Sequence, residues 1–428
     1  MKNKIFLAVG LCITTMSVWL QGSLPDGTPS LVPLIQSLIS QATEESPLPE
    51  SERGVANTAF GNGGVVDFGV QLIPLTSTVS DDQKTMFFGG YAIGTNYGFT
   101  RAFNTETGDT LWSVTEIIEG NIKSVLYNNG VVYSLGIDTI DDQLYLYIKA
   151  RDAVTGALLT TYFTNGTATF DDADFTDARA LAYVNNALFV LATDGANSYL
   201  YKLNATTGAI DQTFNSGTYI TLTGQSAVGG LAYADGFIYT LSNNDTDSTL
   251  KKINATTGVD DLTGTITGAI SKNPSTNSLQ VYQEKVWVLT VNDATATTTI
   301  HKFDLSSFST ALSTLDITGI KASYFLPYQN TFLIAGETAT PTSIAVSYLI
   351  ESNTLDTTFG ANGYYAYTAG PGFPTFSVLS NLESIVYCTL KTATTTTAMV
   401  YVTLIDSMVE AAMRNSQNAD NMEDTGLK

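Results

Sequence analysis

His301, in the stretch TTTIHKFDL, is the sole histidine of the chain, and Cys12 and Cys388 are its two cysteines. Zinc sites need several imidazole or thiolate ligands, and thiol catalysis needs a cysteine with a histidine beside it, so both are excluded on inventory. No serine triad is expected around His301. On an alternating strand it reads as an exposed or half-buried side chain with no catalytic role. Carboxylates are the abundant reactive groups that remain. DDADFTD (Asp171, Asp172, Asp174, Asp177) and NNDTDS (Asn243, Asn244, Asp245, Asp247) concentrate oxygen ligands in loops, which suits a hard cation such as calcium. Asp171, Asp172, Asp174, Asp245 and Asp247 are therefore the candidate metal ligands. Neither stretch has the full calcium-loop spacing with its Gly and terminal Glu, and turn chemistry accounts for the same residues. Paired carboxylates can also cleave glycosides, but the sequence singles out no facing pair. No catalytic residue, no cofactor-binding residue and no cofactor is assigned.

The formal net charge of −21 argues against phosphate-rich partners, which need clustered Lys and Arg. Nucleic acid is not expected as a partner on that ground, and anionic membrane surfaces are poor ones. An acidic, solvated surface instead keeps a protein soluble. Lys2 and Lys4 precede an apolar run from Ile5 to Leu20, then Gln21, Gly22 and Ser23, the pattern of a signal peptide over residues 1–22. The run is short for a membrane span, so the expected product is secreted, periplasmic or extracellular, without membrane insertion, and monomeric. Gly10-Leu11 ahead of Cys12 does not fit a lipidation site. Once the signal is removed Cys388 stands alone, so stability must come from burial and strand pairing and not from an internal disulfide.

The elements that would position any site are repeats. Large apolar residues recur six apart around tight turns: Tyr127/Tyr133, Tyr183/Phe189, Tyr233/Tyr239, Val281/Trp287, Leu326/Phe332 and Leu379/Ile385. Asn129-Gly130, Asn185-Asn186 and Asp235-Gly236 tolerate the positive φ of a two-residue hairpin turn, so each pair marks two antiparallel strands. An alternating strand follows each hairpin and ends on Asn104, Asp152, Asn204, Asn254, Asp304, Glu351 or Asp406, often with Gly four residues later. Such a side chain accepts from backbone amides just ahead, and the Gly takes the left-handed conformation. Seven corners at intervals of roughly fifty residues, each with room for four short strands, predict an all-β, seven-bladed β-propeller of four-stranded antiparallel blades over residues 55–410. The Asn-Ala-Thr triplets at Asn204 and Asn254 match a glycosylation pattern but are explained by the corner geometry.

These repeats resemble known families. FNTETGDTLW resembles the repeat of quinoprotein-type propellers, in which an acidic turn, Thr-Gly and an aromatic recur. FLIAGETATPTSIAVSYLIESNTLDTTFGANGY resembles the bacterial delta-type propeller repeat, with D-x-x-F-G-x-x-G at Asp356, Phe359, Gly360 and Gly363. AIDQTFNSGTY departs from that signature by one residue and by Asn215 in place of Gly. The resemblance implies fold; propellers host many unrelated activities. Quinone-dependent enzymes of this kind often carry a vicinal disulfide, and this chain has no adjacent cysteines.

VANTAFGNGGVVDF, residues 55–68, nearly repeats LDTTFGANGYYAY, residues 355–367. The seventh unit lacks its own last strand, because a polar stretch follows Asp406. The early copy is thus predicted to complete the last blade and close the ring, with Phe60 buried like Phe359 and with Gly61 and Gly64 in turn conformations. Residues 23–54 form a Pro-containing spacer with a short amphipathic pattern at Leu31, Leu34, Ile35 and Leu38, and residues 411–428 a disordered or short helical tail. The function expected is a secreted, non-enzymatic binding or scaffold module for a protein or glycan partner. The alternative is an exported carboxylate-dependent glycan hydrolase or lyase with its site at the axial mouth.

Overall fold

The computed structural model describes residues 60–61, 65–67, 72–92, 97–116, 120–140, 143–170, 175–224, 226–244, 246–270, 278–292, 295–328, 331–338, 343–352, 354–357, 359, 364–367, 375–378, 384–391 and 396–403. All of these fall in one compact unit, Ser51–Lys428. Apart from the short 3-10 turn Phe214–Gly217, every regular element among them is a strand.

The strands form seven antiparallel sheets. The first comprises Leu72–Val79, Thr85–Ala92, Gly98–Asn104 and Thr110–Thr115. The second and third follow the same order, from Gly120–Asn128 to Thr167–Phe170 and from Asp177–Val184 to Ile220–Leu222. The fourth comprises Ser226–Ala234, Phe237–Asn243, Ser248–Asn254 and Asp260–Ile266. The fifth comprises Leu279–Tyr282, Lys285–Asn292, Thr297–Asp304 and Ser313–Thr318. In the sixth, Ile320–Tyr328, Thr331–Thr338 and Ser343–Leu349 carry an outer edge in two pieces, Thr354–Leu355 and Tyr364–Tyr367. First strands of successive sheets lie side by side, and Thr375–Val378 of the seventh returns to Leu72–Val79. The sheets are therefore blades around an axis, with the first strand of each innermost, and the seven-bladed propeller expected from the repeats is the fold.

Local chemistry explains the hairpins. Asn129 and Gly130, Asn185 and Asn186, Asp235 and Gly236, and Gln283 and Glu284 all have positive φ at both central positions. That is the primed turn whose twist matches the flanking strands. At the corners, the side-chain oxygens of Asn104, Asp152, Asn204 and Asn254 each accept from the amides two and three residues ahead at 2.8–3.1 Å.

The first four corners also receive the preceding blade. The amide of Gly61 donates to the Thr107 carbonyl at 2.9 Å, that of Phe163 to Thr206 at 2.8 Å, and that of Asn215 to Thr257 at 2.9 Å. Trp112 of the first blade lies on Gly156 of the second, and its Nε1 donates to the Ala153 carbonyl at 2.9 Å. A Cβ on Gly156, which has φ +71°, would come within 2.7 Å of that indole, so the recurring Thr-Gly is a seat for the neighbour's aromatic. The spelling varies: Tyr162-Phe163-Thr164-Asn165-Gly166 serves in the second blade where Phe214-Asn215 serves in the third.

The core consists of layers between blades. Phe60 packs fully buried with Leu72, Met86, Phe88, Phe99 and Phe103 of the first blade. Just beyond it, Val65–Asp67 pairs with Thr396–Thr403, Val65 opposite Val400 and Asp67 opposite Ala398. The early copy thus supplies the outer strand of the seventh blade, as predicted. Phe359 is likewise fully buried and Gly61 has φ +56°; Gly64, Gly360 and Gly363 lie outside the described residues. In the sixth blade the corresponding segment is more divided than expected. The D-x-x-F turn closes with the Phe359 amide on the Asp356 carbonyl at 3.0 Å, and Tyr364–Tyr367 then forms the outer strand against Ser343–Val346.

Candidate functional site

A cleft of about 720 Å³ opens between the fourth and fifth blades. Thr246 from the loop between the second and third strands of the fourth blade, and Gly268 to Ile270 after its outer strand, form one wall. Thr290, Asn292, Thr295, Thr297, Thr299 and Asp316 of the fifth blade form the other. Alternation places them together. On the third strand Thr297, Thr299 and His301 share the face toward the fourth blade, and Thr290 and Asp316 both lie opposite Thr299 in register. Thr299 Oγ1 donates to Asp316 Oδ1 at 2.7 Å, and the Asn244 side chain accepts from Thr246 and Asp247.

His301 lies behind this wall. It was expected to be exposed or half-buried, but it is only 8% exposed, because the fourth blade covers this face of the strand. Its Nε2 is 2.9 Å from Thr290 Oγ1, and its ring lies near that of Phe303. Burial pulls its pKa down to about 4 against a weaker opposing pull from Asp316. The folded state therefore holds a neutral imidazole over a range in which the unfolded chain takes up a proton. Stability from this group is present above about pH 6.5 and lost as pH falls toward 4, a difference of about 3 kcal/mol in all. Urea unfolding of the native chain should weaken more between pH 7.5 and 4.5 than that of His301→Gln; equal losses would show that the imidazole does not contribute.

A charged cluster sits on the inner strands of the second and third blades. Lys123 and Arg179 are the extra residues of two β-bulges, between Ile122 and Ser124 and between Ala178 and Ala180. Both pair with Asp177, at 3.3 Å and 3.2 Å. Asp177, one of the acidic-loop residues noted in the sequence, thus serves an ion pair next to two cations. Between the first and second blades, Arg151 makes a two-pronged bond to Glu116 at 2.8 and 2.7 Å, and the Glu116 side chain is fully buried.

Of the candidate metal ligands, Asp171, Asp172, Asp174 and Asp245 lie outside the described residues. Asp247 accepts from the Gly268 amide at 2.8 Å and so helps to hold the cleft wall. Among the described residues no three His, Cys, Asp or Glu side chains are grouped to hold a metal ion. The acidic loops stand out in the sequence by composition, whereas the cleft is built largely of threonines. ATATTTIH, residues 294–301, carries the alternation that puts Thr297, Thr299 and His301 on one face, but nothing local shows which neighbouring blade that face meets.

No protein-family model and no curated protein sequence matches the chain. Among solved structures it is similar to BamB from Moraxella catarrhalis (12% identity, 77% of this chain and 84% of that one, TM-score 0.44). It is also similar to the Dos1 propeller (11% identity, 79% and 93%, TM-score 0.48) and to the WD40 β-propeller domain of Doa1 (16% identity, 65% and 80%, TM-score 0.43). The class the chain belongs to, an all-β propeller, rests on its own seven sheets. Among the described residues no helix is long and apolar enough to cross a membrane.

Proposed function

We propose that this chain is an exported, monomeric, non-catalytic propeller that binds a protein or glycan partner, built from quinoprotein-like and delta-type repeats. The observation that supports this most is the state of its carboxylates. A glycosidase-type general acid needs a carboxyl with a raised pKa. Among the described carboxylates, those that are displaced move down, and each is tied into a turn. Lys202 and Thr213 hold Asp211 at about 2. Burial opposes the same shift at Asp194, but bonds from Tyr199, Asn197 and Ala196 outweigh it and hold it at about 2. Asp82, Asp152 and Asp304 are lowered by Ser80, Thr155 and Ser306 respectively. These groups are committed to the fold. The alternative, a carboxylate-dependent glycan hydrolase or lyase at the axial mouth, draws support from the charged cluster around Asp177.

Incubating the purified chain with a panel of oligosaccharides, while measuring both retention and product formation, separates the two. Retention or capture of a secreted partner without turnover is the expected result, and turnover abolished by Asp177→Asn would establish the enzyme. Residues 1–22 fused to a reporter should direct it out of the cytoplasm; a reporter left inside overturns the export reading.

Calcium is expected to add little to stability, because the acidic loops lack a complete ligand pattern. Chelator should move the melting temperature by only a few degrees. A shift above about ten degrees, beyond what one or two kcal/mol produces in a chain of this size, would mean that one of those loops holds a metal.

A further inference from the structure

We infer that the cleft between the fourth and fifth blades is the ligand site and that its ligand is a neutral, hydroxyl-rich carbohydrate. This rests on the binding-module reading above and gives it a place and a chemistry.

The size of the cleft, about 720 Å³, falls within the range of small-molecule pockets, roughly 300–1,000 Å³. Its functional groups are biased toward accepting. Thr299 spends its hydroxyl hydrogen on Asp316 Oδ1, and Thr246 spends its own on Asn244 Oδ1 at 3.1 Å. A hydroxyl oxygen that has given its hydrogen away keeps its lone pairs, and Asp316 presents a second carboxylate oxygen beside them. Such a wall suits a molecule dense in O–H donors. Ile270, Val291 and the Thr methyls also line the cleft, so beside its oxygens it offers apolar surface on which the C–H face of a sugar ring can rest.

Charge narrows the ligand further. Among the described residues that line the cleft there is no lysine or arginine and Asp316 is the one ionisable side chain, and the whole chain carries −21. A uronate, sulfated sugar or phosphate would meet the Asp316 carboxylate in a chain of strongly negative charge, with no cation among the described lining residues to offset it. Asp316 is exposed on the outer strand, so changing it does not open the core.

The test is a titration of the full mature chain, followed by ligand-observed NMR. The probes are maltotriose and cellotriose as neutral sugars, trigalacturonate as the anionic sugar and spermidine as a cation. At least one neutral trisaccharide should bind about tenfold or more tightly than trigalacturonate. Asp316→Ala should weaken that binding by about tenfold, the scale of losing one charge-assisted bond, while Asp316→Asn, which keeps an acceptor, weakens it less. Thr299→Val should also weaken it, with the melting temperature of each variant near that of the native chain. The inference fails if trigalacturonate binds as tightly as the neutral sugars, if spermidine alone binds, if no probe binds, or if Asp316→Ala binds undiminished. Capture of a secreted protein in any of those cases leaves the binding-module reading standing, whereas turnover of a bound sugar overturns that reading.

Discussion

Replacing Phe60 by alanine is expected to cost about 3–5 kcal/mol of stability, the usual cost of emptying a fully buried Phe site. The ring fills a pocket made by Leu72, Met86, Phe88, Phe99 and Phe103, and its neighbours Gly61 and Val65–Asp67 bond to the first and the seventh blade respectively. The cavity would therefore open between the first blade and the segment that completes the last. Removal of residues 24–50 should cost little, since the segment that closes the ring begins beyond them. Removal through residue 68 should be far worse, because Thr396–Thr403 would lose its outer partner and present an open edge that pairs with other chains. A synthetic peptide of residues 55–68 should then partly restore solubility by occupying that edge. Urea midpoints and light scattering decide the matter: a long deletion that melts and disperses like the intact protein would show that the strand is dispensable.

A second large loss is expected at the interface of the first and second blades. Glu116→Ala should destabilise the protein by about 3–5 kcal/mol, because it leaves the Arg151 guanidinium enclosed without its carboxylate. Lys149 also pairs with Glu116, at 3.6 Å, and a third Arg151 bond goes to the Gly156 carbonyl at 2.9 Å. The removal therefore disturbs the corner on which Trp112 rests. Glu116→Leu combined with Arg151→Met should recover much of the loss, since an apolar pair of similar volume leaves no charge in the interior. Chemical denaturation of the two single variants and the double variant forms the cycle. A Glu116→Ala loss below about 1 kcal/mol would mean that water reaches the guanidinium.

Features written within a few residues are legible in the sequence. Asn129-Gly130 and Asp235-Gly236 demand a primed turn wherever they stand, and Asn104 or Asn254 followed by Thr-Gly demands a corner. The paired copies around Phe60 and Phe359 were equally plain, because the last unit stops short of an outer strand. What escaped depends on the opposite wall. His301 is buried by the fourth blade, and no property of TTTIHKFDL foretells that cover. The partners Glu116 and Arg151 are 35 residues apart in different blades, and neither sits in a recognisable pattern. Tyr162 and Phe163 do the work of the F-G spelling in other letters, so the likeness is invisible in the sequence. The cleft escaped for the same reason: its walls belong to two repeats, and its chemistry arises where they face.

The pairing of Val65–Asp67 with Thr396–Thr403 also fixes when the molecule can become whole. The strand that completes the seventh blade leaves the ribosome ahead of the first six blades, and its partner is made only after more than three hundred further residues. Six blades can fold from neighbouring hairpins, but the seventh waits for a contact of the longest range among the described strands. The entropy of joining such distant ends grows only slowly with separation, so the delay is set by synthesis and search rather than by a prohibitive free-energy cost. Until that moment an early strand and a late edge both stand unpaired in the same cell, and each is competent to join a second copy in place of its own other end.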